Sequence, residues 1–252
     1  AQIKQNYGIV KKKKILKDLK KVFKRFDKKI DLIDTAPSYG PAEKIIGEYN
    51  CKKYKIVTKL NKIKSKKINE IIKEINLNLK SSLNNLKTNS IYCLMLHSES
   101  DIKILKFKKI KLLFNELKKE KKINKVGISI YNLENLYKYL KVYNFDVFQI
   151  NLNIFSMRKN LIKYLLKLKK INKFELHVRS IFFQGIIFLK PKKIPNKLNF
   201  INKKLKLVND ISKTFKSNIY DFAISSVANL KLADYVIIGV SNFKEYSRIL
   251  KF

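Results

Sequence analysis

Glycine is scarce in this sequence, with six residues among 252. None of the six forms a GxGxxG or P-loop pattern, the turns through which open doubly wound sheets bind phosphate groups. The composition therefore disfavours an open sheet of that kind.

Cysteine and long apolar runs are also rare. Cys51 and Cys93 are too few for a disulfide scaffold or a zinc site. The longest apolar runs, IYCLML (91–96) and VFQINLNIF (147–155), are shorter than the roughly 18 to 20 residues of a membrane-spanning helix. Because no secretory signal is evident either, we expect a cytoplasmic protein without a membrane partner. The start at Ala1 and the short end at Phe252 also lead us to expect a truncated sequence.

Acidic residues are outnumbered, 19 against 57 basic ones, and the formal net charge is +38. Such a charge attracts polyanions through counterion release. Only four of the basic residues are arginine, however, and arginine is the side chain that base and phosphate recognition favours. Since the lysines are scattered over nearly every polar stretch, we expect no specific nucleic-acid binding, although anionic small molecules should be attracted.

Short apolar segments alternate with longer amphipathic ones along the whole chain. Apolar residues recur at helical spacing over 15–26 and 68–79. Seven segments have the composition of strands: IDLID (30–34), YKIVTK (54–59), IYCLMLH (91–97), KVGIS (125–129), FDVFQI (145–150), ELHVRS (175–180) and YVIIGV (235–240).

This alternation predicts an α/β fold with a parallel sheet covered by helices. Counting AQIKQ (1–5) as the tail of a first strand makes eight strands. We therefore predict a (β/α)8 TIM barrel with parallel strands and an apparently truncated first strand. No linker or repeat divides the chain, so we expect one barrel domain over residues 1–252.

In such a barrel, chemistry occurs at the carboxyl ends of the strands. Three predicted strands end at Asp34, Lys59 and His97, and Tyr39 follows in the loop after the first of them. Taken singly, Asp34 has the features of a cap residue and Lys59 those of a surface lysine. Together the four form a plausible proton donor, because an ammonium held by a carboxylate stabilises a phenolate and a neutral imidazole can orient a carbonyl group.

These motifs resemble the aldo-keto reductase family. The segment DTAPSYGPAEKIIGEY (34–49) is similar to the family signature, with its Asp-Thr-Ala, its Tyr-Gly pair and the following Glu. The resemblance continues through KIVTK (55–59), SLNNLKTNSIYCLMLHS (82–98), KKINKVGISIY (121–131), FDVFQINLNIF (145–155), VRSIFFQGII (178–187) and VIIGVSNFKEY (236–246).

The resemblance implies an oxidoreductase that uses NADPH or NADH to reduce an aldehyde or ketone, with sugar-derived carbonyl compounds among the expected substrates. Tyr39 would be the general acid, Lys59 and Asp34 its tuning pair, and His97 would orient the substrate; no metal is implied. The expected cofactor-binding residues are Ser129, Gln149, Arg179, Ser180, Gly239, Val240, Ser241 and Asn242.

Two positions depart from the family pattern. Ile130 follows Ser129 where many relatives carry Asn, and Arg179 stands where many stack a Tyr on the nicotinamide ring. Arg179 would then stack on the cofactor or bind a phosphate, or else form a structural salt bridge. Two other functions stay open: a non-catalytic NAD(P)H-binding regulatory subunit on the same barrel, and a basic nucleic-acid-binding protein. The substrate and the oligomeric state stay open as well.

Overall fold

A computed structural model describes residues 21–24, 30–104, 107–190, 193–194, 196–240 and 242–251. Within them seven strands are assigned: β1 Leu32–Asp34, β2 Lys55–Lys59, β3 Ile91–Leu96, β4 Ile123–Ile130, β5 Val147–Asn151, β6 Glu175–Arg179 and β7 Tyr235–Val236. The predicted strand over 1–5 and most of the predicted helix over 15–26 lie outside the described residues; residues 21–24 are helical.

Helices alternate with these strands. Their bounds are α1 Ala42–Glu48, α2 Ile68–Leu86, α3 Asp101–Ile104, α4 Phe107–Lys119, α5 Leu136–Val142, α6 Lys159–Asn172, α7 Ile201–Thr214, α8 Ile219–Ala228 and α9 Phe243–Ile249. The predicted α/β class is thereby confirmed.

By internal contacts the described chain separates into two compact units, one with residues 21–149 and 239–251 and one with residues 150–238. In the first unit, β1 pairs with β2, β2 with β3 and β3 with β4, and all three pairs are parallel. The expectation of a single domain over the whole chain stays a prediction.

Side-chain alternation in the first unit separates an apolar layer from a polar one. Val57, Cys93 and Val147 are fully buried and pack together, with Leu32 against them. Successive side chains of a strand point to opposite faces, so a residue two positions further along shares a face. Asp34, Lys59 and Gln149 each lie two positions beyond a member of this cluster, which places them together at the carboxyl end of the sheet.

Helix α2 shows why the amphipathic segments are helical. Its buried residues recur at helical spacing: Ile71, Ile75, Leu79, Ser82 and Leu86. The helix ends at Lys87, whose left-handed conformation (φ 52°) lets the amides of Lys87 and Thr88 bond to the carbonyls of Asn84 and Leu83. The predicted helical pattern over 68–79 is confirmed, and α2 runs about two turns beyond it.

Gly47 permits α1 to lie unusually close to α2. A Cβ at this position would be 2.2 Å from the Asn85 carbonyl oxygen and 2.8 Å from the Leu86 carbonyl carbon. Both are backbone atoms, which cannot rotate away, so the two helices would have to separate.

Gly47→Ala is therefore expected to lower the free energy of unfolding by about 1–3 kcal/mol, the usual cost of overpacking, as measured by urea denaturation. Gly239→Ala is the matched control, because a Cβ at Gly239 meets no atom within 4 Å. Equal stabilities of the two variants would contradict the close helix contact.

The second unit has its own core and its own strand pair. Strands β6 and β7 are parallel, with His177 opposite Tyr235 and Val178 opposite Val236. Strand β7 is shorter than the predicted span of 235–240. Ile237 still donates its amide hydrogen to the Val178 carbonyl, 2.7 Å away, but residues 238–240 have no regular structure.

Candidate active site

Asp34 and Lys59 form a buried ion pair at the ends of β1 and β2. The Lys59 Nζ lies 2.8 Å from both carboxylate oxygens of Asp34 and also donates to the Thr35 carbonyl at 2.9 Å. Only 1% of the Lys59 side chain and 9% of the Asp34 side chain are exposed. Although the sequence has 57 basic residues, and most lysines are solvated, Lys59 is buried and donates to three oxygen atoms.

The two charges stabilise each other against the cost of burial. Burial alone would lower the pKa of Lys59, but its interactions with Asp34 and Tyr39 raise that pKa above the ordinary value. Burial alone would raise the pKa of Asp34, but the Lys59 charge and the hydrogen bonds from Lys59 and Gln149 lower it below the ordinary range. Both groups are therefore charged at neutral pH.

Acid titration should reveal this pair. The folded-state pKa of Asp34 is depressed, so its contribution to stability is complete above the pKa of an unfolded aspartate, about 3.9, and is lost as the pH falls through the folded-state value. We expect Asp34→Asn to be less stable than wild type at neutral pH. Below about pH 4, the free energy of unfolding of the variant should fall less steeply with decreasing pH than that of wild type. The exposed Asp31 provides the control Asp31→Asn, and an acid slope unchanged by Asp34→Asn would contradict the prediction.

Tyr39 lies over this ion pair. It ends a 3-10 turn, Pro37–Tyr39, that follows β1, and Gly40 continues it at φ 64°, a left-handed conformation that glycine adopts without strain. The Lys59 Nζ is 5.1 Å from the centroid of the Tyr39 ring. The tyrosine is half-buried, so a small molecule can reach it while the ion pair beneath it is buried.

His97 completes the predicted group of four. It follows β3, and its ring meets that of Tyr39 edge to face, with centroids 5.9 Å apart and planes at 81°. The Ser38 hydroxyl lies 3.4 Å from the His97 Nδ1. The structure thus brings Asp34, Tyr39, Lys59 and His97 together within one unit.

The sequence matches a known family. The model of the aldo/keto reductase family matches residues 1–252. The chain belongs to the aldo-keto reductase family. Its members are NAD(P)H-dependent oxidoreductases, and this chain is one of them.

Solved structures agree on the fold. The holo form of the aldo-keto reductase AKR11C1 from Bacillus halodurans is similar at a TM-score of 0.74 and 21% identity, covering 93% of this chain and 80% of that one. The glycerol dehydrogenase AKR11B4 from Gluconobacter oxydans is similar at a TM-score of 0.66 and 19% identity, covering 88% and 75%. These likenesses confirm the predicted (β/α)8 barrel class. A search of curated proteins found no match.

Gln149 belongs to the same polar network. It was predicted as a cofactor-binding residue, and its contact with Asp34 was not predicted. Its Nε2 donates to Asp34 Oδ2 at 2.8 Å. A carboxylate only accepts hydrogen bonds, so this contact determines which end of the amide is the nitrogen. The Oε1 is buried and has no hydrogen-bond partner among the described residues, which leaves an acceptor suited to the amide group of a nicotinamide.

Glu43 is a second residue whose role the sequence did not reveal, although it stands in the quoted signature segment. It is 2% exposed, and its carboxylate accepts hydrogen bonds from the Thr58 hydroxyl at 2.6 Å and the Asn85 amide at 3.4 Å. Thr58 precedes Lys59 and points to the opposite face of β2. Glu43 thereby fastens α1, and the Tyr39 turn before it, to the strand that carries Lys59.

The remaining predicted residues are distributed over both units. Ser129 is buried near the end of β4, 1% exposed. In the first unit, Gly239 and Val240 lack regular structure, and the Asn242 side chain caps α9 by accepting from the Glu245 amide at 2.8 Å. Ser241 lies outside the described residues.

Arg179 and Ser180 lie in the second unit. Arg179 ends β6, and Ser180 adopts φ 61° at the start of a loop in which Phe183, Gln184 and Gly185 also have positive φ. The Asn153 Nδ2 donates to the Ser180 carbonyl at 3.4 Å, which holds the beginning of this loop. The cofactor contacts assigned to both residues stay predictions.

No helix among the described residues is long and apolar enough to cross a membrane. The same residues contain no group of three or more His, Cys, Asp or Glu side chains placed to hold a metal ion.

Proposed function

We propose that this aldo-keto reductase reduces an aldehyde or ketone to an alcohol with Tyr39 as the general acid. The observation that carries the proposal is the buried contact of Lys59 Nζ with both oxygens of Asp34, 2.8 Å each, beneath the Tyr39 ring. A fixed ammonium next to a half-buried phenol is an arrangement that stabilises a phenolate.

Each side chain then has a defined part in the reaction. The Tyr39 hydroxyl donates its proton to the carbonyl oxygen as that oxygen gains negative charge, and Lys59 stabilises the charge left on the phenol. Asp34 holds Lys59 charged and in place. We propose that His97 Nδ1 accepts a hydrogen bond from the Ser38 hydroxyl; the ring would then carry its hydrogen on Nε2 and donate it to the substrate carbonyl. The half-buried Tyr39 regains its proton from solvent.

The bound nicotinamide cofactor supplies the hydride. We propose that Gln149 and Ser129 hold its carboxamide, because Gln149 Oε1 is a buried acceptor without a partner among the described residues. The residues proposed to approach the cofactor phosphates are Gly239, Val240, Ser241, Asn242 and Ser180. Arg179 is proposed to stack on the nicotinamide ring or to bind a phosphate. The net charge of +38 favours NADPH over NADH, since the extra phosphate adds negative charge.

For the substrate we propose a small hydroxylated carbonyl compound, because one similar structure is named a glycerol dehydrogenase. We also propose a cytoplasmic location. Cys51 and Cys93 are both buried, and two cysteines are too few for the disulfide scaffold of a small secreted domain.

Titration with NADPH and NADH, followed by nicotinamide fluorescence at moderate salt, tests the proposal. Salt suppresses the nonspecific attraction that the positive charge causes, so saturable binding that survives it is the expected result, with NADPH binding tighter. Oxidation of the bound cofactor on addition of glyceraldehyde would then confirm carbonyl reduction. Absence of saturable binding of both nucleotides would refute the proposal.

A further inference from the structure

Glu99 receives three hydrogen bonds in a loop that the proposed reaction does not use. Its Oε1 accepts from the backbone amides of Tyr131 and Asn132, the latter at 3.0 Å, and its Oε2 accepts from the Tyr139 hydroxyl at 2.8 Å. We call Glu99 with these three donors the Glu99 clamp. Hydrogen bonds to a charged acceptor are about twice as strong as neutral ones.

The hydrogen bond from Tyr139 to Glu99 comes from a buried side chain. Tyr139 is buried, at 8% exposure. Burial and its interaction with Glu99 raise the pKa of Tyr139 to about 12. The phenol is therefore neutral and a hydrogen donor throughout the physiological pH range, so the Glu99 clamp is fully formed there.

The clamp connects two strand ends of the proposed site. Glu99 lies two residues after His97, which follows β3. Tyr131 and Asn132 directly follow β4, which carries Ser129 near its end. Ser129 is followed by Ile130, whose side chain is completely buried and supplies packing at a position where many relatives have an amide. The loop after β4 is thus held through its backbone, by a carboxylate from the neighbouring loop.

We propose that Glu99 is a positioning residue that fixes the loop after β4 relative to the loop of His97, so that Ser129 is preorganised for the cofactor. The expected effect on cofactor binding rests on the proposed function, whereas the hydrogen bonds of the Glu99 clamp between the two loops do not. Preorganised loops bind more tightly because less conformational freedom is lost on binding. Glu99 need not touch the cofactor or the substrate.

Glu99→Gln tests the proposal. The glutamine side chain is uncharged and has one acceptor oxygen in place of two, so it cannot accept from all three donors, and the hydrogen bonds that remain are weaker. We expect hydrogen exchange of the Tyr131 and Asn132 amides to quicken by about tenfold and the dissociation constant of NADPH to rise by about tenfold, with a smaller change in kcat. The melting temperature should change little, since Glu99 lies in a partly exposed loop.

Two further variants make the result specific. Glu134→Gln removes the same charge at an exposed position of the loop after β4 and should leave amide exchange and NADPH affinity as in wild type. Tyr139→Phe removes one donor and should produce a smaller shift in the same direction. Exchange rates in Glu99→Gln equal to those in Glu134→Gln would overturn the clamp.

The exchange measurement is made without cofactor or substrate, which separates this inference from the proposed function. Faster exchange with unchanged NADPH affinity would overturn the positioning role while leaving the clamp as a structural contact. A chain that binds no nucleotide at all would refute the proposed function, and the exchange rates would still decide whether the clamp exists.

Discussion

Replacing Tyr39 with phenylalanine is expected to lower kcat for carbonyl reduction by about 10²- to 10⁴-fold, the range that general acid catalysis contributes. The change removes the phenol proton that the proposed reaction transfers to the carbonyl oxygen and retains the ring. The contacts of Lys59 with Asp34 and with the Thr35 carbonyl do not involve the phenol oxygen, so the ion pair and the affinity for NADPH should be unchanged. Steady-state kinetics and nicotinamide fluorescence measure the two quantities.

Tyr137→Phe is the control for this variant. Tyr137 is half-exposed and its ring lies 4.7 Å from Lys141 Nζ, so it loses a hydroxyl without affecting the proposed site. Turnover of Tyr39→Phe close to that of Tyr137→Phe would contradict the assignment of the general acid. Tight cofactor binding with no turnover in wild type would instead favour the regulatory-subunit alternative.

Lys59→Met is expected to be the most damaging single substitution in stability and nearly as damaging in activity. It removes the ammonium that pairs with the buried Asp34 carboxylate, although the hydrogen bond from Gln149 is retained. Removal of one partner of a buried ion pair typically costs about 3–5 kcal/mol. We expect a loss of this size in the free energy of unfolding, and a loss of turnover of about 10²-fold or more because the phenolate loses its stabilising charge.

A double variant separates the two effects. Lys59→Met combined with Asp34→Asn removes the unpaired charge, so much of the stability should return, whereas turnover should stay low. The double variant also protects the test against a single variant that fails to fold. Lys66→Met, at an exposed position in the loop after β2, is the control. A double variant with wild-type turnover would refute the role of Lys59.

The candidate site was predictable from the sequence to the extent that it depends on strand ends. Asp34, Lys59 and His97 were each predicted at the end of an apolar segment, and parallel strands deliver such residues to one edge of a sheet. The structure adds that Gln149, which lies within β5 and 115 positions after Asp34, donates a hydrogen bond to that aspartate. Sequence separation of this size contains no spacing signal, so only the folded sheet could show the contact.

The roles of Glu43, Gly47 and Glu99 could not be predicted from the sequence either. A buried glutamate, a glycine in a helix and a glutamate in a loop have no distinguishing pattern among the chain's 19 acidic residues and six glycines. Their roles depend on which groups approach them: the Thr58 hydroxyl, the Asn85 backbone carbonyl and the Tyr131 backbone amide. Such approaches are set by how α1, α2 and the loops pack, which local periodicity does not encode.

By itself the sequence determined the alternation of strands and helices, the parallel α/β class and the family, because periodicity and strand-end residues are local properties of the chain. It also determined which residue types were available for acid chemistry. Only the tertiary structure decided that one lysine among so many is buried, and that it is bonded to both oxygens of Asp34. The physical reason is that burial and ion pairing are properties of the folded neighbourhood, where the cost of removing a charge from water must be met by a partner brought from a distant part of the chain.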